Sequence, residues 1–176
     1  MPLRLEDKQA LVAEVSAVAA NAHSAVAAEY RGLSVAQMTE LRAKARAAGV
    51  YMRIVKNTLA RRAIEGTDFE CMSAELIGPL VLAFSQEDPG SAARVVKDFA
   101  KDNDQLIPKL AAIGGQLLPG SEIDRIAKLP TRDEAISMLM ALMKAPVEKF
   151  VRTLAEPHAK LVRTVAAVRD QKQAQA

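Results

Sequence analysis

Three consecutive stretches near the C-terminus decide the fold: Met138-Leu139-Met140-Ala141-Leu142-Met143-Lys144-Ala145-Pro146-Val147-Glu148, then Lys149-Phe150-Val151-Arg152-Thr153-Leu154-Ala155-Glu156-Pro157-His158-Ala159, then Lys160-Leu161-Val162-Arg163-Thr164-Val165-Ala166-Ala167-Val168-Arg169-Asp170. They are units of one 11-residue repeat. The second and third share Lys, Val, Arg, Thr and Ala at matched places, and the first keeps the apolar positions and the proline. Eleven residues close three helical turns at about 3.67 per turn, so a stripe of that period stays on one side of a helix. Leu139/Met140, Phe150/Val151 and Leu161/Val162 fall in line, as do Met143, Leu154 and Val165, and Val168 extends the stripe. A rod that presents one patch three times is built to dock copies of one partner. Met138, Met140 and Met143 suit a compliant protein-binding surface.

The rod begins with Thr131 at an N-cap position and Glu134 three residues on, the spacing of a capping box. Residues 131–170 extend roughly 60 Å at about 1.5 Å per residue. A domain of this size cannot cover that length, so much of the stripe needs an outside partner. Pro146 and Pro157 occupy equivalent repeat positions. Each removes a backbone donor and crowds the preceding turn, so each is expected to kink or segment the helix.

Upstream of the rod the patterns are shorter and mixed. Leu5–Ala22 has helical spacing at Leu11, Val12, Val15 and Val18, and Ser24–Tyr30 reads as a short buried strand. Ser34 or Thr39 caps a helix that ends at Gly49. Val50–Val55 alternates as a half-buried strand with Arg53 outward, and Asn57-Thr58 opens a helix that stops at Gly66. Strand, helix, strand in series implies a crossover unit with a near-parallel sheet. Leu80–Phe84 and, more weakly, Leu106–Ile113 are further strands. Asp88-Pro89-Gly90 starts a helix to about Lys101, with Pro89 suited to the first turn. Gly114-Gly115 reads as a turn, and a short helix lies around Ile123–Leu129. The expected fold is mixed α/β (α+β). It has a compact domain over residues 1–130, with a small sheet and packed helices, followed by a long protruding C-terminal helix over residues 131–176.

Charge is unevenly spread in a chain whose net charge is only +3. Residues 1–66 hold ten Lys/Arg against six Asp/Glu, residues 67–136 seven against twelve, and residues 137–176 seven against three. Positions 41–62 hold seven cations and no acid: Arg42, Lys44, Arg46, Arg53, Lys56, Arg61 and Arg62. A block of this kind points to a polyanion. Within it Lys56 lies at a strand-to-helix junction, where unpaired N–H groups and the positive dipole end receive phosphate. Arg61 and Arg62 follow one turn on and can grip phosphate through two N–H groups at once. Asn57 either caps its own helix or joins the phosphate site. With only 3% aromatic residues, folded-RNA backbone contact fits better than base stacking.

Enzymatic chemistry finds no support. His23 and His158 are far apart, Cys71 stands alone, and Gly114-Gly115 has no dinucleotide or P-loop spacing. No cofactor or metal is called for. No apolar run is long enough to span a membrane, the start lacks a signal core, and the expected setting is the cytosol. An RNA-free helical adaptor, with the basic block a mere solvated face, is the alternative reading.

The same residues carry a resemblance. Tyr30-Arg31-Gly32-Leu33, Met38-Thr39-Glu40-Leu41-Arg42 and above all Val55-Lys56-Asn57-Thr58-Leu59-Ala60-Arg61-Arg62-Ala63 are its core. Gly78-Pro79, Ala83-Phe84-Ser85, Asp98-Phe99-Ala100-Lys101, Gly114-Gly115 and Leu129-Pro130-Thr131 follow in order. They resemble the bacterial large-subunit ribosomal stalk family, number ten of the large subunit, related to the archaeal and eukaryotic P-zero proteins. The resemblance implies an N-terminal domain on large-subunit rRNA beside stalk-base protein number eleven. It implies a C-terminal helix that carries dimers of the acidic seven/twelve stalk protein, which recruit GTP-bound translation factors. It also implies that the protein with its dimers can repress translation of its own messenger. Carried onto matching positions, the rRNA-facing residues are Arg4, Arg31, Lys56, Asn57, Thr58 and Arg61; Arg53 and Arg62 are added by the charge argument. Shorter family members have room for two dimers. The Phe150–Ala159 unit looks like an added copy, so three dimers are expected here rather than two.

Overall fold

A computed structural model describes residues 4–175. Their order is α1 (Leu5–Asn21), β1 (Ser24–Glu29), α2 (Val35–Ala47), β2 (Val50–Ile54), α3 (Asn57–Ile64), a 3-10 turn (Glu70–Glu75), β3 (Leu80–Ser85), α4 (Ser91–Asp102), β4 (Ile107–Ile113), β5 (Gln116–Pro119), a second 3-10 turn (Gly120–Glu122), α5 (Ile123–Ala127) and α6 (Arg132–Gln175). The chain divides into two compact units after Thr131.

The five strands lie in the order β2-β3-β1-β4-β5. Every neighbouring pair is antiparallel, which corrects the near-parallel sheet read from the strand–helix–strand series. The crossover itself is present: β1 and β2 both oppose β3, so they point the same way. They do not touch, because β3 is inserted between them. The reason lies in β3, where all six residues are buried. Such a strand has no solvent-facing side and is placed inside the sheet, where both its edges and both its faces are covered.

Strand residues alternate between two cores. Ala25, Ala27, Leu82 and Phe84 face α1, α3 and the first 3-10 turn, meeting Val15, Ala63, Phe69 and Met72. Val26, Ala28, Val81 and Ala83 face α2, α4 and α5, meeting Leu41, Val96, Phe99 and Ile126. The sheet is therefore covered by helices on both faces. Alanines in β1 let the helices approach closely, and Phe69 and Phe84 fill one side edge-to-face at 6.0 Å between ring centroids.

Local signals explain the boundaries. Ser34, not Thr39, caps α2: its hydroxyl accepts from the Gln37 N–H at 3.3 Å, and Gln37 Oε1 accepts from the Ser34 N–H at 2.9 Å. Thr39 sits inside the helix with its hydroxyl donating to the Val35 carbonyl. Ser34→Ala is expected to cost about 1 kcal/mol, measurable by urea denaturation, because Gln37 also reaches Asn103 and holds α2 to the end of α4. Pro89 falls before the Gly90 cap of α4 rather than in its first turn. The β4–β5 hairpin closes on Gly114 and Gly115, at φ +52° and +79°, a conformation that glycine adopts at no steric cost. A Cβ on Gly120 would collide with the Pro108 carbonyl oxygen.

α6 is one unbroken helix of 44 residues with Pro146 and Pro157 inside it, about 66 Å at 1.5 Å per residue. The expected segmentation at the prolines is not observed. Each proline leaves one carbonyl of the preceding turn, at Leu142 and Thr153, without its usual donor. Both carbonyls lie on an exposed stretch, open to hydrogen bonding by solvent.

Candidate RNA-facing sheet end and partner-binding helix

At one end of the sheet the chain leaves β2, turns into α3 and meets the segment entering β3. An open cavity of about 370 Å³ forms there, lined by Tyr30, Lys56, Asn57, Thr58, Gly78 and Pro79 among others. Lys56 is the N-cap residue of α3, and its carbonyl accepts from the Leu59 and Ala60 N–H groups at 2.8 and 3.0 Å. The N–H groups of Asn57 and Thr58 have no partner within the helix and face its positive dipole end. Asn57 does not cap the helix. Its amide donates to the Gly78 carbonyl at 2.9 Å, tying the start of α3 to the entry of β3 and shaping the cavity wall.

Arg31 follows Tyr30 in a turn in which the Leu33 N–H donates to the Tyr30 carbonyl and Gly32 has φ +95°. The Tyr30 N–H reaches the Pro79 carbonyl at 3.4 Å, so this turn stands beside the same cavity. Arg31, Lys56 and Thr58 are exposed, and among the described residues neither Arg31 nor Lys56 forms an ion pair. Lys56, a cation with no ion pair among the described residues, thus stands at a helix start that offers free N–H donors, and Arg31 follows the Tyr30 that lines the same cavity.

The other expected residues are elsewhere. Arg53 is partly open to solvent, its side chain 39% exposed. It faces α1, where its guanidinium pairs with Glu14 and donates to the Tyr51 hydroxyl at 3.0 Å, while the Tyr51 hydroxyl donates to Glu14 at 2.7 Å. The Tyr51 hydroxyl, with Arg53 beside it, holds the Glu14 carboxyl below its usual range. Arg61 is half-buried, donates through Nη2 to the Leu76 carbonyl at 3.0 Å and keeps a buried, unpartnered Nε. Both arginines have structural work within the domain. Arg62 is exposed on the α1 side and borders a groove with Leu5, Lys8, Val12 and Leu59; Arg4 lies at the start of that same helix. The seven-cation run is therefore divided: Lys44 belongs to α2 on the opposite sheet face, where it pairs with Glu40 at 2.8 Å and lies over the Phe99 ring. Outside the family resemblance, Tyr30 and Gly78-Pro79 were read only as strand end and punctuation. The aromatic beside Arg31 was the one signal that could have marked the cavity.

On α6 all ten expected stripe residues are open to solvent, from Val168 at 52% to Met143 at 73%. The repeat is also visible in hydrogen bonds. Thr153 and Thr164, eleven residues apart, each donate to the carbonyl three residues back at 2.8 Å, at Phe150 and Leu161.

Comparison with known proteins bears on both parts. The model of the Ribosomal protein L10 family matches residues 4–101, and that of the Ribosomal protein uL10 C-terminal region matches residues 129–155. The chain belongs to the ribosomal protein L10 family. Among its relatives named Large ribosomal subunit protein uL10, that of Thioalkalivibrio sulfidiphilus is 70% identical over the whole of both chains. That of Methylococcus capsulatus is 71% identical over 99% of each, and that of Alcanivorax borkumensis 64% over the whole of both. As a member of the L10 family the chain is a structural ribosomal protein and not an enzyme. Its place is the ribosome, which in bacteria is cytoplasmic.

Proposed function

We propose that this L10-family protein is the base and carrier of the large-subunit stalk. Its N-terminal domain grips large-subunit rRNA beside stalk-base protein number eleven, and α6 carries three dimers of the acidic seven/twelve stalk protein. Those dimers recruit GTP-bound translation factors, and the assembled complex represses translation of its own messenger. The RNA contact centres on Lys56, Asn57, Thr58 and Arg31, with Arg4 and Arg62 as a second group along α1. Arg53 and Arg61 support the site from within the domain.

One observation carries the reading of the rod: nine apolar residues in an 11-residue register, extended by Val168, each more than half exposed on a single helix. A solvated helix does not keep such a stripe without a partner. Native mass spectrometry of the protein co-expressed with the seven/twelve protein is expected to give seven chains, one carrier and three dimers. Five chains would reduce the number to two dimers, and the bare chain alone would refute the carrier role.

A further inference from the structure

The cavity at the end of the sheet holds more than a phosphate needs. A phosphate is satisfied by cations and N–H donors, and Lys56 stands on one wall to meet it. The same cavity is also lined by Tyr30, Ile54, Val55, Pro79 and Leu80. These residues come from the end of β1, the end of β2 and the entry to β3, so the strand order of the sheet assembles an apolar wall from three separate pieces of chain. Ile54 on that wall remains 36% exposed. The volume, about 370 Å³, lies in the range of roughly 300–1,000 Å³ that small-ligand sites occupy.

Tyr30 is the aromatic residue of this wall. It is half-buried and packs against the core under α2 and α4. Its N–H donates to the Pro79 carbonyl at 3.4 Å, which ties it to the entry of β3. Asn57 ties the start of α3 to the same entry through the Gly78 carbonyl at 2.9 Å. The aromatic ring and the cation are thus held on walls that are joined to each other.

An apolar protein side chain would fill the apolar part of this cavity and leave Lys56, which has no ion pair among the described residues, unanswered. A nucleotide answers both parts, because its base has a flat apolar face and its phosphate lies one sugar away. The scarcity of aromatic residues argues against a track of stacked bases. One ring serves one base, however, and folded RNA presents single unstacked bases in its loops and bulges.

We propose that the cavity receives one unstacked nucleobase of the large-subunit rRNA, laid against the Tyr30 ring, while Lys56 holds an adjoining phosphate. This rests on the RNA-binding reading above and adds the part of the RNA that the cavity takes. Recognition then depends on the RNA offering an extruded nucleotide at one place, and not on charge alone.

The test measures the affinity of the full chain for a large-subunit rRNA fragment in which each unpaired nucleotide is replaced in turn by an abasic one. One position is expected to cost the parent protein about tenfold, the scale of one base–aromatic stack. Tyr30→Leu, which keeps apolar bulk against the core, is expected to lose about tenfold on the intact RNA and almost nothing further on that abasic RNA. Tyr30→Phe is expected to bind as the parent does. The slope of log affinity against log salt is expected to be the same for the parent and Tyr30→Leu, because no phosphate contact is lost.

The scan of the parent needs no variant, so an RNA in which no single base matters overturns the inference even where Tyr30→Leu fails to fold. Binding that keeps its salt slope and its dependence on Lys56, with no abasic position coupled to Tyr30, would refute the base pocket and leave the phosphate contact standing. Unchanged RNA binding by Tyr30→Leu, with weakened binding of stalk-base protein number eleven, would give the cavity to a protein side chain and also overturn the inference. Salt-insensitive RNA binding by the parent, or none, would sink the RNA reading and this inference together.

Discussion

Leu161→Asp is expected to remove one stalk dimer and nothing else. Leu161 is 65% exposed in the free chain, so the substitution leaves the folded protein nearly untouched. On the carrier reading proposed above, the side chain is covered in the complex. Its loss forfeits about 1.5–3 kcal/mol of apolar burial, and the new carboxylate must be desolvated in an apolar groove with no partner. Together these exceed about 3 kcal/mol, more than a hundredfold in affinity at one unit. Native mass spectrometry should therefore show five chains where the parent shows seven, with RNA affinity unchanged. A parallel fall in RNA binding would show that the two halves of the molecule are not independent. An unchanged count would show that the stripe at this unit is not the contact.

Lys56→Ala is expected to weaken binding to a large-subunit rRNA fragment by about tenfold near 0.1 M salt. It should also make the slope of log affinity against log salt shallower by about 0.9, the share of one phosphate contact. Lys56 is suited to this test because it is exposed and makes no ion pair among the described residues, so its removal costs the fold little. Arg61→Ala is not equivalent. Its guanidinium holds the Leu76 carbonyl, and its loss would mix a folding defect with a binding one. Salt-insensitive binding by the parent protein, or no change in Lys56→Ala, would favour an RNA-free adaptor.

Comparison of these two sites shows where a sequence is readable. The stripe was legible because an isolated helix obeys one period: each residue's direction follows from its number alone. The strand and helix spans of the domain were legible for the same local reason, from Ser34 as a cap to Gly66 as a stop. The hairpin at Gly114-Gly115 was read only as a turn because β5 is four residues long, too short to show alternation. The 3-10 turn at Glu70–Glu75 has no period to detect.

The basic site was half legible. Lys56, Asn57 and Thr58 are adjacent in the chain, so their grouping needed no tertiary knowledge. Arg53 looked outward because alternation tells two faces apart but not which is solvent. Here α1 lies over the face that holds Arg53, and Glu14, thirty-nine positions away, pairs with its part-exposed guanidinium. The Asn57 side chain had two local readings and took a third, the Gly78 carbonyl, which only the placement of β3 supplies.

The sequence by itself determined what depends on neighbours within a few turns: the long helix, its threefold apolar register, and the helix start that offers donors to phosphate. The tertiary structure alone decided that β3 enters between β1 and β2, that Tyr30 and Lys56 line one cavity, and that Arg53 and Arg61 hold partners within the domain. It also decided that the rod continues through its prolines as one helix, because the cost of a missing donor depends on whether water can reach the carbonyl left behind. Local periodicity records a residue's own conformation, whereas pairing and exposure depend on partners that the chain brings from far away.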